Sequence, residues 1–220
     1  ATIEGKLYGH DSLNVKANIP TIYIGKEHLR NTNISVKGTP KEFLTNINTD
    51  RKHKRGFVNY SLRTDAHDDR LAIILALDNM RKPHTKGHLE VIANFSRNSV
   101  GKRNIFAWIA PTDFIVSDTT WRIHPATIEL NDKVTNVQGF KVTTQLPNSA
   151  LRSIEINGNV SPDETDTLFV ALNDINIGYI LDLVNFKSVE FDGYATGEAV
   201  ATSILNSPQA NIDLTINNFL

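Results

Sequence analysis

The chain has 220 residues, 40% of them apolar, enough for one large domain or two small ones that fold without disulfide support. Twenty-three Lys and Arg against 24 Asp and Glu leave a net charge of −1, so no overall field draws the chain to nucleic acid or anionic lipid. The lack of cysteine excludes a disulfide scaffold, thiol catalysis and thiolate-bound zinc, and no apolar run is long enough to span a membrane.

The opening residues ATIEGKLYGH have neither the basic nor the apolar region of a secretory signal, so an exported parent would carry that signal elsewhere. From there on the sequence is written in strands and turns. Its 23 Asn and 20 Thr separate apolar residues that alternate at Leu13, Val15 and Ala17, at Ile34 and Val36, at Ile154 and Ile156, at Val189 and Phe191, and at Ile212, Leu214 and Ile216. Period two with polar residues between gives one apolar and one wet face. Two segments are apolar throughout, LAIILAL at 71–77 and LFVAL at 168–172, and read as strands covered on both sides. Turn signals fall between runs at 38–40, 82–83, 148–149, 161–162 and 207–208, which implies about a dozen antiparallel strands. Helical spacing occurs over 174–184, where Asp174 would cap a helix with Ile177, Ile180, Leu181 and Val184 on one face. Residues 103–109 fit either a short helix or a strand.

Charge is divided between the halves. Residues 1–110 hold 18 basic and 10 acidic residues (+8), and residues 111–220 hold 5 and 14 (−9). A basic first part and an acidic second part are therefore expected, joined in one continuous sheet. The basic group Arg51, Lys52, Lys54 and Arg55 lacks interleaved aromatic residues and reads as a solvated loop.

Chemistry-bearing patterns are weak. Asp65, His67, Asp68 and Asp69 could coordinate a metal, but their spacing suits a hairpin turn better than a calcium loop. His84 and His88 sit four apart with Pro83 and Gly87 against a helix that would align them. There is no P-loop, no G-x-G-x-x-G and no G-x-S-x-G, and the carboxylates Glu155, Asp163, Glu164 and Asp166 lie in turns or polar alternation. No enzymatic activity, catalytic residue, metal or cofactor is expected.

The second half carries an ordered set of phrases: PTDFIVSDTTWRIHPATIEL, VQGFKVT, SIEINGNVSPDETDTLFVALNDINIGYILDLV, and VEFDGYATGEAVATSILNSPQANIDLTINNF. Their order resembles the periplasmic region of TamB-like proteins, members of the AsmA-like group, in the form found in Bacteroidetes. The resemblance rests on the Asp118 to Trp121 turn, the Ile156 to Ser161 unit, Asp166 before its strand, and Gly193 and Gly197 leading to Ser207, Pro208 and Gln209.

That resemblance implies an internal fragment of a longer, inner-membrane-anchored periplasmic protein. The implied fold is a long antiparallel curved sheet folded lengthwise around an apolar interior, taco-like or sandwich-like, with one or two short helices. Its implied work is lipid transport between the inner and outer membranes, outer-membrane protein assembly, or both. The expected partners are phospholipid acyl chains, an outer-membrane barrel protein met through the whole parent, and neighbouring β modules, with no nucleic acid. Ile154, Ile156, Leu168, Val170, Leu172, Ile212, Leu214 and Ile216 would line the lipid groove, and Ile177, Ile180, Leu181 and Val184 would plug or cap one end. Two other readings compete. One is an extracellular β-sandwich binding glycan or protein through Trp108, Trp121, Tyr8 or Tyr23; the other is a spacer joined to neighbouring modules through its edge strands.

Overall fold

A computed structural model describes residues 1–9, 11–25, 27–53, 56–145, 150–177 and 193–217. It is almost entirely β. The first seven strands are β1 (Thr2–Tyr8), β2 (Ser12–Ile24), β3 (Glu27–Gly38), β4 (Glu42–His53), β5 (Gly56–His67), β6 (Arg70–Asp78) and β7 (Lys86–Arg97). Then come the shorter β8 (Arg103–Ile109), β9 (Thr112–Val116), β10 (Thr119–Ile123) and β11 (Ala126–Asn131). The last five are β12 (Val134–Gln145), β13 (Leu151–Val160), β14 (Thr167–Asn176), β15 (Tyr194–Thr202) and β16 (Gln209–Asn217).

All sixteen join one antiparallel sheet, in the order β1 through β8 and then β11 through β16. β9 pairs with β7 and β10, and β10 pairs with β12. The chain divides into two compact units, Ala1–Ser96 with Ala107–Thr120, and Arg97–Phe106 with Trp121–Leu220.

Sixteen strands exceed the dozen expected because β9, β10 and β11 are only five or six residues long and carry little alternation of their own. The turns fall where Gly, Pro and Asp place them. Asp68 and Asp69, at φ 47° and 58°, make the two-residue link between β5 and β6, and Ser117 and Asp118 do the same between β9 and β10. Two successive positive φ values suit the right-handed twist of a tight hairpin.

Two expectations need correction. Residues 174–176 are the end of β14, not a helix start, and Asp174 at φ 51° sits in a bulge between Leu172 and Ile175. It accepts a hydrogen bond from Arg152 Nε (2.8 Å), and its own N–H donates to Thr196 Oγ1 (3.0 Å). Its polarity is thus used to hold the extra residue and not to cap a helix. Only Ile177 of the expected helical face lies within the described residues, half-buried, its N–H bonded to the Gly193 carbonyl; Ile180, Leu181 and Val184 lie outside them. Residues 103–109 form β8. The segments 71–77 and 168–172 are not covered on both sides: no residue of either is buried, and Leu75 is 48% exposed. Their second faces carry Ala72, Ile74 and Ala76 in the first segment and Phe169 and Ala171 in the other, none of them buried.

Two glycines are needed inside strands. Gly158 and Gly197 take φ of 129° and 144°, and a Cβ on Gly197 would stand 2.1 Å from the Asp213 carbonyl oxygen. An L side chain is strained there by both conformation and contact. Gly197→Ala is therefore expected to destabilise the second unit by roughly 1–3 kcal/mol, read from urea unfolding, whereas Ala199→Gly on the same strand should cost about 1 kcal/mol or less.

Candidate functional site

Because directly opposed residues in an antiparallel ladder point to the same face, the register sorts every candidate side chain. In the second unit, Val142, Ile154, Leu172, Gly197 and Leu214 stand in one row across five strands. Phe140, Ile156, Val170, Ala199 and Ile212 form the next row, and Leu168 follows beside Gly158 and Ala201. Ile175, Ala195 and Ile216 make a further row past the bulge in β14. All eight groove candidates therefore share one face of β13, β14 and β16.

The opposite face is largely polar, with Phe169 and Val200 opposed between Asn157 and Asn211. Lys141, Glu155, Ala171, Glu198 and Asp213 make one of its rows, with Lys141 Nζ 2.6 Å from Glu155 Oε1. Glu155 is thus an ion-pair partner of a lysine. Asp163 and Asp166 are turn residues around the Ser161 hydroxyl, which donates to Asp166 and accepts from the Asp163 N–H. Backbone and hydroxyl hydrogen bonds from Thr165 hold the Asp163 carboxyl below its usual range.

The apolar face is graded in cover. Ile175 is only 1% exposed, and Ala195, Val142 and Trp121 are also buried, so this end packs as core. Ile154, Ile156, Leu168, Val170 and Leu172 are half-buried, and Ile212, Leu214 and Ile216 are 60%, 37% and 42% exposed. An inward row of a central strand in a closed sandwich would be buried as thoroughly as Ile175. Here β14 is flanked by hydrogen-bonded neighbours on both sides and still keeps its apolar row accessible.

The first unit has an equivalent face that the alternation in β2 and β3 only hinted at. Leu7, Leu13, Gly38, Phe43, Ala66, Leu71 and Ala93 are opposed across seven strands, and so are Ile3, Ala17, Ile34, Ile47, Leu62, Leu75 and Leu89. Thr45, Thr49 and Thr64 sit among these positions, which hid the pattern in β4 and β5. The Phe43 ring lies against Gly38, where an added Cβ would meet it at 3.0 Å. With Leu7 and Leu13 they line a hollow of about 300 Å³.

The polar face of the first unit is also hollowed. A groove of about 690 Å³ is lined by Asn18, Asn33, Asn46 and Asn48 with Lys16, Ser35, Ser61 and Arg63, and also by the apolar Ala17, Ile34, Ile47, Leu62 and Ile74. Cross-strand bonds order these amides: Asn18 Nδ2 donates to Asn33 (3.0 Å), Arg63 Nε to Asn46 (3.2 Å), and Asn59 Nδ2 to Asn48 and Asp50 (3.0 Å each). Asn59 and Asn31 together hold the Asp50 carboxyl below its usual range. Nothing in the alternation rule separates a hydrogen-bonding asparagine row from a merely solvated one, so this groove was missed.

The remaining candidates disperse. Asp65 and His67 sit on β5 and Asp68 and Asp69 in the turn after it, with His67 Nδ1 3.6 Å from Asp68. Among the described residues no three His, Asp or Glu side chains are grouped to hold a metal. Arg51 is bound twice by Glu27, at 2.6 and 2.7 Å, and Lys52 lies on β4; Lys54 and Arg55 lie outside the described residues. Trp121 is buried and so not available to a glycan, while the exposed Tyr23 stacks on His28 at 4.7 Å. No protein-family model, curated protein or solved structure matches the chain.

The gradient of cover predicts opposite outcomes for one substitution at two places on the same face. Leu214→Asp should leave the fold standing at a cost of about 1 kcal/mol. Ile175→Asp, which buries an unpaired charge, should cost on the order of 4 kcal/mol or more and unfold the second unit. Thermal melts followed by circular dichroism separate the two.

Proposed function

We propose that this chain is a non-enzymatic segment of a TamB-like envelope protein of the periplasm, whose open apolar face carries phospholipid acyl chains between the inner and outer membranes. The observation that supports this reading most directly is the accessible apolar row of β14, at Leu168, Val170 and Leu172, continuous with the exposed Ile212 and Leu214 of β16. A contiguous accessible apolar surface is a binding surface or an aggregation hazard, and a long hydrocarbon chain is the ligand that needs no polar recognition. Phosphate head groups would remain in water beside the polar face. A role in outer-membrane protein assembly would use the same face to shelter apolar strands, and contact with a barrel partner would belong to the parent protein.

Transfer of hydrocarbon contributes about 0.8 kcal/mol per buried methylene. Affinity for a series of fatty acyl probes should therefore rise about fourfold per added methylene until the face is filled, and should change little with head group. Ile212→Asp and Leu214→Asp should each weaken capture without unfolding. Equal affinity for short and long chains, or capture indifferent to these substitutions, would refute the lipid reading.

The asparagine-lined groove favours a second reading, an extracellular module for a hydroxyl-rich ligand such as a glycan. Ordered amides present donors and acceptors together, which is what hydroxyl groups need. On that reading Asn33→Leu with Asn48→Leu abolishes binding on a glycan array while acyl capture is absent; an array without hits removes it.

A further inference from the structure

We propose that a hollow on the polar face of the first unit binds a small zwitterion, a molecule with an ammonium and a carboxylate group, through Asp78 and Lys86. Asn59, Asp78 and Lys86 are opposed across β5, β6 and β7, and Ser61, Ala76 and His88 form the adjoining row, on the side of the sheet away from Leu62, Leu75 and Leu89. Ser61 and Ala76 are the small members of these two rows, with longer side chains beside them. The space they leave is a hollow of about 450 Å³, lined also by Asp113, Ile115 and Thr120.

The class of ligand follows from the two charges. Opposed side chains in an antiparallel ladder start about 5 Å apart, within reach of an ion pair. Lys141 and Glu155 are opposed in this way, and their charges meet at 2.6 Å. Asp78 and Lys86 do not meet. Among the described residues Lys86 has no partner, and Asp78 accepts the Met80 N–H through Oδ1 (2.7 Å), which leaves Oδ2 open. Opposite charges held apart beside a hollow select by elimination. A simple anion meets the carboxylates of Asp78 and Asp113, a simple cation meets Lys86, and a neutral polyol takes water from both charges while matching neither. A ligand with an ammonium for Asp78 and a carboxylate for Lys86 satisfies both, and the Ser61 hydroxyl adds a donor and an acceptor at the floor.

The probes are amino acids of increasing charge separation, glycine, β-alanine, γ-aminobutyrate and ε-aminocaproate, with propylamine and propionate as singly charged comparators. Each is titrated into isotopically labelled protein at fixed ionic strength and followed by amide NMR. At least one zwitterion should shift the amides of Ala76, Asp78 and Lys86 and bind about tenfold or more tightly than either comparator, because each charge-assisted contact contributes about that factor. Lys86→Met and Asp78→Asn should each lower affinity to the comparators' level, and the asparagine keeps an oxygen for the Met80 N–H. Ala76→Leu should fill the floor and abolish binding. Circular dichroism should be unchanged in all three. The inference is overturned if no probe shifts these amides, if propylamine or propionate binds as well as the zwitterions, or if binding survives Lys86→Met or Ala76→Leu undiminished. No acyl chain or glycan enters the experiment, so its result stands apart from the proposed function.

Discussion

The structure depends on face parity: every apolar row is continuous only if each strand keeps its odd or even residues on the same side as its neighbours. A single-residue slip would move a strand's entire apolar set to water. Strict alternation does not hold along the chain, however. Val137 and Phe140, and likewise Leu172 and Ile175, are three residues apart, which would put them on opposite faces of a regular strand. Register shifts at both places return them to the same face, and the extra residue is absorbed at Gly139 and Asp174, with φ of 69° and 51°. In the first unit a third shift, between Arg30 and Asn33, uses Asn31 at φ 52° in the same way.

These bulges explain what could and could not be read from the chain. Where period two is unbroken, as in Ile154 and Ile156 or Ile212, Leu214 and Ile216, the alternation identifies both the strand and its apolar side. Across β13, β14 and β16 these eight apolar residues share one face. Where a bulge intervenes, local spacing misleads: Asp174 heads a helical spacing in the sequence, yet residues 174–176 belong to β14. Cover is less legible still. Ile175 and Leu214 share a face and have similar chemistry, yet one is core and the other accessible, and they differ in strand position, β14 lying between two paired strands and β16 at the end of the strand order.

The two faces divide the energetic work. The alternation places Asn on the wet face of the strands, and Asn18, Asn33, Asn46, Asn48 and Asn59 are strand residues that in addition bond across the ladder. Their amides supply both donors and acceptors, so the polar face is held by directional bonds and need not bury hydrocarbon. The apolar face contributes less than its composition suggests, because half-buried Leu and Ile gain only part of the transfer free energy available on full burial. Among the described residues the buried apolar set is short, and Ala93, Ala110, Ala126 and Ala195 make up half of its eight members.

An accessible apolar face is costly to keep unless something occupies it. The remaining transfer energy of Ile154, Ile156, Leu168, Val170, Leu172, Ile212, Leu214 and Ile216 is available to whatever covers them, and it rises with area regardless of the chemical identity of that cover. Such a surface discriminates by length and flexibility: a rigid polar ligand gains little from it, and an acyl chain gains with each methylene laid along a row. Rows that cross successive strands at about 4.8 Å spacing offer a continuous apolar path transverse to the strands. On the proposed reading, a surface that binds by area would pass hydrocarbon along, whereas a closed pocket with polar anchors would retain it.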